Sequence, residues 1–75
     1  MEAYIVRALS GDHGAFVQLY DNFAAPALRL SIAITRRTDL AEDAVQEAFI
    51  RVFNKGYQCN KNGHFEPWFF LIVIN

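Results

Sequence analysis

Residues 39–53 read DLAEDAVQEAFIRVF, and they carry the most regular helical pattern of the chain. A helix is predicted to open at Thr38-Asp39, where Asp39 with Glu42 three residues later resembles a capping box. The apolar residues then recur at steps of three and four, which predicts one buried face: Val45, Ala48, Phe49, Val52 and Phe53. The pair Lys55-Gly56 predicts the end of this helix.

The opposite face of the same helix is polar and carries one aliphatic residue. Its members also follow three- and four-residue steps: Asp43, Gln46, Glu47, Ile50 and Asn54. Such a stripe fits a docking site, because acidic charges steer a basic partner and an exposed Ile can serve as a desolvated anchor. From spacing alone, an ordinary solvated face with one stray Ile is the commoner interpretation.

Two helices are predicted before this one. The first covers about residues 2–9 and stops at residues 10–12, where a glycine precedes a capping Asp. The second covers about residues 13–36, with a bend near residues 22–23 because of Pro26. Its predicted core face consists of Phe16, Leu19, Tyr20, Phe23, Ala27, Leu30 and Ile34.

The last part of the chain is predicted to be a loop followed by a fourth helix. Residues 56–64 contain two Gly and two Asn, which favours a loop. The helix is predicted from about Phe65, with a core face of Phe65, Trp68, Phe69 and Ile72. It is apolar on every side, so we expect it to continue beyond Asn75. We also expect dimers or larger species to form through its uncovered surface.

The composition fits one globular domain over residues 1–75. The chain is 53% hydrophobic and has only four Gly and two Pro, which argues against disorder and against a turn-rich β fold. We therefore expect an all-α fold, a compact bundle of about four helices whose last helix is truncated. The net charge is −1, whereas a domain that binds duplex DNA by itself usually has a basic excess.

No arrangement of residues points to catalysis, a metal or a cofactor. Cys59 and His64 are too few ligands for a tetrahedral zinc site, and His13 lies on another segment. No Ser/His/Asp set and no pair of carboxylates has the geometry of a catalytic site, and no Gly-rich loop could bind a phosphate. The single cysteine fits a reducing compartment, and the apolar run 68–74 is shorter than the ~20 residues that span a bilayer. We expect a non-enzymatic, cytoplasmic chain.

Residues 39–53 resemble the polymerase-binding helix of bacterial RNA polymerase sigma factors of the extracytoplasmic-function group, most specifically over residues 42–53. That family shows an acidic pair, then Val-Gln-Glu-x-Phe, then an aromatic residue one turn later. Further similarities, in the same order and spacing as in the family, are Gly11-Asp12, Ala15-Phe16, Leu19-Tyr20, Pro26, Phe65, Trp68 and Asn75. The resemblance covers essentially the whole chain and implies the helical region 2 domain of a sigma factor.

The resemblance also implies partners and site residues. Core RNA polymerase would bind through the basic clamp coiled coil of its largest subunit, at Asp43, Gln46 and Glu47, to which the stripe argument adds Ile50. The melted −10 promoter element would contact the loop before the last helix and that helix itself, at Asn60, Lys61, Asn62, His64, Phe70 and Asn75. An anti-sigma protein is a further candidate partner, and no membrane partner is expected.

The last helix departs from the family pattern at Leu71 and Val73, where an Arg and a small residue are common. This departure removes a phosphate-binding charge. Together with the net charge of −1 it favours an alternative function, a helical protein-interaction domain such as an adaptor or a divergent sigma-like regulator without DNA binding. The −35-binding domain of sigma factors is expected to be absent from this chain.

Overall fold

The computed structural model describes residues 2–62 and 64–74 and folds them into four helices. They are α1 (Ala3–Leu9), α2 (His13–Thr35), α3 (Thr38–Asn62) and α4 (Phe65–Ile74). No strand occurs in these two ranges, so the predicted all-α class and the four-helix bundle are confirmed. Within the same ranges, no helix has both the length and the apolar character needed to cross a membrane.

The turn between α1 and α2 forms as the sequence predicts. Gly11 has a φ of 105°, a left-handed conformation that would be strained with a side chain. Asp12 caps α2, because its Oδ1 accepts a hydrogen bond from the Ala15 N–H at 3.0 Å. The Asp12 N–H in turn donates to the Arg7 carbonyl at 2.9 Å, which ties the end of α1 to the start of α2.

The junction between α2 and α3 differs in detail from the prediction. α2 ends one residue early, and Arg36 adopts a left-handed φ of 59°. α3 begins at Thr38, which places Asp39 inside the first turn, where a negative charge interacts favourably with the helix dipole. Because Asp39 lies inside the helix and not at its N-cap, the predicted capping box with Glu42 is not formed. The Asp39 carboxylate instead accepts a hydrogen bond from the Arg37 guanidinium at 2.7 Å.

Pro26 lies inside α2, and the helix continues through it. Proline has no N–H, so the Asn22 carbonyl loses its usual helical partner. The Asn22 side chain bonds elsewhere: its Nδ2 donates to the Tyr4 hydroxyl at 3.0 Å, which links α2 to α1. The bend near residues 22–23 stays a prediction.

The predicted loop over residues 56–64 is wrong for residues 56–62, because α3 continues to Asn62. His64 is not helical, and residue 63 lies outside the described residues. Gly56 does not end the helix but is buried against α1. A Cβ on Gly56 would lie 2.8 Å from Leu9 Cδ2 and 3.5 Å from Leu9 Cα, so the glycine allows the two helices to approach closely. Cys59, which is completely buried, continues the core face of α3 one turn further.

Phe69 of α4 lies at the centre of the core and is fully buried. Its ring centroid lies 4.9 Å from that of Phe49 in α3 and 6.1 Å from that of Phe23 in α2. Phe65, also buried, stacks on it at 5.3 Å. The predicted core positions Phe65 and Phe69 are confirmed, whereas Trp68 and Ile72 are only partly buried. One aromatic cluster therefore joins α2, α3 and α4.

Three residues that were predicted to lie in the core are exposed instead. The exposed fractions are 43% for Tyr20, 53% for Ile34 and 68% for Phe53. The apolar stripes of α2 and α3 are wider than the contact between neighbouring helices, so residues at the stripe edges remain in solvent. On α4, Val73 is buried although it was not predicted to lie in the core, and the neighbouring Leu71 is 57% exposed.

The close approach at Gly56 predicts a cost for the smallest added side chain. Gly56→Ala gains about 1 kcal/mol in helix propensity, but overpacking of a core typically costs about 1–3 kcal/mol. Because Leu9 is itself buried and must change its rotamer, we expect the free energy of unfolding to fall, by up to about 2 kcal/mol. Denaturant unfolding of the variant measures this change.

Gly14→Ala is the matched control, because Gly14 also lies in a helix. A Cβ at Gly14 would meet only Asp12 Oδ1, at an ordinary 3.6 Å. This variant should be as stable as the parent or slightly more stable. If Gly56→Ala proves as stable as Gly14→Ala, the close packing of α1 on α3 is not the reason for the glycine.

Candidate functional site

The stripe of α3 that the sequence singled out lies on the solvent side of the bundle. Asp43, Gln46, Glu47 and Ile50 are all exposed, and Asn54 follows them on the same face. Ile50 is 59% exposed, a large value for an aliphatic side chain on a helix that buries its other face. We call these five residues the acidic stripe.

The carboxylates of the acidic stripe form only weak ion pairs with neighbouring residues. Glu47 Oε1 lies 3.7 Å from Arg51 Nη2, and both side chains are more than half exposed, so the pair contributes little to stability. Among the described residues, Asp43 has no ion-pair partner within 4.0 Å. Both carboxylates are therefore accessible to a partner.

An open groove runs beside the acidic stripe, between α2 and α3. Phe16 and Tyr20 of α2 line one side, and Phe49, Ile50 and Phe53 of α3 line the other. The Phe16 and Phe53 rings are perpendicular at 5.6 Å, and the Tyr20 and Phe49 rings lie 4.7 Å apart. The groove is shallow and open to solvent, and we call it the aromatic groove.

Sequence reasoning missed the aromatic groove because it assigned Phe16, Tyr20 and Phe53 to the core. One signal in the sequence was available. Gln46, Ile50 and Phe53 are spaced i, i+4 and i+7, so Phe53 belongs to the edge of the acidic stripe as much as to the core face. The contribution of α2 could not be found this way, since it depends on how two helices pack.

The residues predicted to contact DNA are only partly described. Asn60, Lys61 and Asn62 fall on the last turn of α3, and their side chains lie outside the described residues, as does Asn75. His64 is exposed at the junction of α3 and α4.

Phe70 is half-buried on α4, with its ring 5.4 Å from that of Phe69. Part of this ring is therefore accessible for stacking. It lies off the core face that Phe65 and Phe69 define.

An open cleft of about 600 Å³ adjoins His64, where residues of α1 and of the start of α4 line it. Tyr4 and Phe65 supply aromatic walls, and the carboxylates of Glu2 and Glu66 also line it. Two negative charges oppose a phosphate group at this position. The cleft therefore does not favour the nucleic-acid backbone beside His64.

Cys59 does not belong to any of these surfaces. Burial raises the pKa of the Cys59 thiol above its ordinary value, which keeps the group protonated and unreactive. Over residues 2–62 and 64–74, no group of three or more His, Cys, Asp or Glu side chains is placed to hold a metal ion. The thiol is part of the core of α3.

Comparison with known proteins adds the family. The model of the family described as sigma-70 region 2 matches residues 19–75, which is well over half of the chain. No curated protein and no solved structure matches this chain. The matched residues include most of α2 and all of α3 and α4, and with them the whole acidic stripe. A four-helix, strand-free fold over the described residues agrees with this match, and the chain belongs to the sigma-70 region 2 family.

Proposed function

We propose that this chain is a single sigma-factor region 2 domain that binds core RNA polymerase through the acidic stripe and engages the −10 promoter element. Membership of the sigma-70 region 2 family supports a role as a non-enzymatic transcription initiation factor. The resemblance of residues 42–53 supports the extracytoplasmic-function group. Such a domain acts where polymerase and promoter meet, in the bacterial cytoplasm, and an anti-sigma protein is a candidate regulator of it.

The observation that carries the polymerase contact is an exposed aliphatic residue inside an acidic face. Ile50 is 59% exposed one turn from Glu47, and the carboxylate of Asp43 lies one turn further back along α3. A basic coiled coil that docks there gains charge-assisted hydrogen bonds at the carboxylates and buries the Ile side chain. The charges mainly increase the association rate, whereas the buried side chain mainly slows dissociation.

The DNA contact is proposed for the end of α3 and for α4. The amides of Asn60, Asn62 and Asn75 suit base edges, Lys61 suits a phosphate, and a partly exposed Phe70 ring suits an unpaired base. His64 is exposed between these two groups of residues. Affinity for the polymerase would offset the missing basic excess, because the polymerase then holds the domain next to the promoter.

A protein-interaction domain without DNA binding is the second candidate function. Leu71, at a position where the family often has an Arg, is 57% exposed. The carboxylates of Glu2 and Glu66 beside His64 oppose phosphate binding. A binding measurement separates the two candidate functions. The complex of this chain with polymerase is titrated with a −10 oligonucleotide, and the second candidate function predicts that the chain adds no binding to the oligonucleotide.

Substitutions in the acidic stripe should weaken polymerase binding in two different ways. Ile50→Ala removes three carbons, each worth about 0.8 kcal/mol when buried, and just over half of the residue is free to be buried. The loss is therefore about 1.4 kcal/mol, or about tenfold in Kd, mainly through faster dissociation. Glu47→Lys should slow association, with an effect that shrinks as salt is added. Stopped-flow or interferometry with the clamp coiled coil measures both rates.

Matched controls for these variants lie on α2. Val17→Ala shortens another exposed aliphatic residue, and Asp21→Lys reverses another exposed acidic charge. Both should bind like the parent, and circular dichroism should show unchanged helix content for all four variants. Parental affinity of Ile50→Ala and Glu47→Lys, with folding intact, would exclude the acidic stripe as the polymerase site.

Removal of the Phe70 ring should weaken binding to the melted promoter strand. Phe70→Leu keeps an apolar side chain against Phe69 but cannot stack on a base. Because stacking is worth about 1–3 kcal/mol per base, the complex with core polymerase should lose at least about fivefold in affinity for a single-stranded −10 oligonucleotide. Ile72→Leu, at another half-buried position of α4, is the control and should leave affinity unchanged. Equal anisotropy titrations for the two variants would count against stacking on Phe70.

The exposed apolar side of α4 should promote self-association. Leu71 is 57% and Ile74 is 47% exposed, and Phe70 is half-buried beside them. Contiguous apolar surface of this kind tends to bind a partner, so we propose dimers or larger species through α4. Leu71→Lys should shift the sedimentation distribution towards monomer, whereas Val17→Lys, also at an exposed apolar position, should not. A parent chain that sediments as monomer at high concentration contradicts this proposal.

A further inference from the structure

We propose that the open cleft beside His64 binds the guanidinium group of an arginine that a protein partner presents. Three aromatic residues and two carboxylates line it, and we call it the acidic cleft: Tyr4, Phe23 and Phe65, with Glu2 and Glu66. It shares no residue with the acidic stripe, so the inference goes beyond the proposed polymerase contact.

The aromatic walls of the acidic cleft are held in place by the packing of the bundle. Phe65 is buried, and the Phe23 ring meets it edge to face with the centroids 5.2 Å apart. The Tyr4 hydroxyl accepts a hydrogen bond from Asn22 Nδ2 at 3.0 Å, which holds α1 against α2. Phe23 and Tyr4 are only partly buried, so both leave ring surface for a ligand. The walls exist before a ligand arrives, which reduces the entropy lost on binding.

The two carboxylates of the acidic cleft are available to a ligand. Glu2 occupies the N-cap position of α1, yet its side chain forms no capping hydrogen bond. Glu66 lies in the first turn of α4 and is exposed. Among the described residues, no Lys or Arg lines the cleft, and neither carboxylate has an ion-pair partner within 4.0 Å.

The net charge of the acidic cleft selects a cation. Helices α1 and α4 both begin there, and each helix N-terminus is equivalent to at most about half a positive charge. Glu2 and Glu66 together outweigh these two helix ends, so the cleft is negative and repels a phosphate group. A metal ion is not the expected occupant, because no three His, Cys, Asp or Glu side chains in the described part of the chain are placed to hold one.

Among organic cations, a guanidinium suits these walls best. It is planar and weakly hydrated, so it can stack on the Tyr4 or Phe23 ring while its N–H groups donate to a carboxylate. An ammonium is compact and strongly hydrated, and it loses more solvation beside an aromatic ring. Because Glu2 and Glu66 are exposed, each ion pair alone contributes little. An arginine on a protein partner is therefore favoured over a free guanidine, since the surrounding interface excludes water from the pairs.

Two peptides that differ only in charge test the site. In an NMR titration of the chain, a capped Ala-Arg-Ala peptide should shift the amide signals of Tyr4, His64 and Glu66. The same peptide with citrulline in place of arginine keeps the shape of the side chain without its charge. It should bind at least about threefold more weakly, which is the effect of one exposed ion pair.

Variants of the chain separate the contributions of charge and ring. Glu66→Gln should weaken binding of the arginine peptide about threefold, whereas Glu47→Gln, the same change in the acidic stripe, should leave the shifts at the cleft as they are. Tyr4→Leu should also weaken binding, and Tyr4→Phe, which keeps the ring, should bind like the parent. Thermal unfolding of each variant checks that the fold is intact.

Four results would overturn the inference. Equal affinity for the arginine and citrulline peptides, or parental affinity of Glu66→Gln, excludes selection by charge. Shifts confined to the acidic stripe and lost in Glu47→Gln place the arginine there instead. Ethylguanidine that binds more tightly than the arginine peptide points to a small guanidino compound and not to a protein. A single-stranded oligonucleotide that shifts the cleft signals, when the arginine peptide does not, points to a nucleobase.

Discussion

The contact between the rings of Phe49 and Phe69 fixes how α3 is rotated in the bundle. Phe69 is fully buried, and its centroid distance of 4.9 Å to Phe49 holds that residue on the inner side of α3. Once Phe49 points inward, helical geometry turns Asp43 and Glu47 outward, since they lie on the other side of a 3.6-residue turn. The exposure of the acidic stripe is thus a consequence of an aromatic contact in the core.

Local patterns predicted those parts of the structure that local interactions decide. Asp12 was predicted to cap α2, and a capping bond depends only on residues three positions away. The core positions Phe65 and Phe69 follow from helical periodicity within α4. The acidic stripe was predicted as one face of α3 for the same reason, although its function depends on a partner.

The errors arose where packing between helices overrides a local signal. Gly56 was interpreted as a helix end, but a glycine also allows two helices to touch, and only the position of Leu9 distinguishes these roles. Tyr20 and Phe53 satisfied the periodicity of a core face, yet burial depends on whether a neighbouring helix covers them. The aromatic groove could not be predicted because its two walls belong to helices whose relative placement no local pattern specifies.

The continuation of α3 past Gly56 changes how the two proposed activities are connected. With a loop at residues 56–64, the candidate DNA contacts could move independently of the polymerase contact. Since α3 instead runs without a break from Thr38 to Asn62, the backbone of residues 60–62 continues the helix that carries the acidic stripe. The rise from Glu47 to Asn60 is about 20 Å. If polymerase binds the stripe as proposed, it would also set the position and direction of the end of α3, and docking would then orient the domain on the promoter. Such a mechanism needs little intrinsic affinity for DNA, which accords with a net charge of −1.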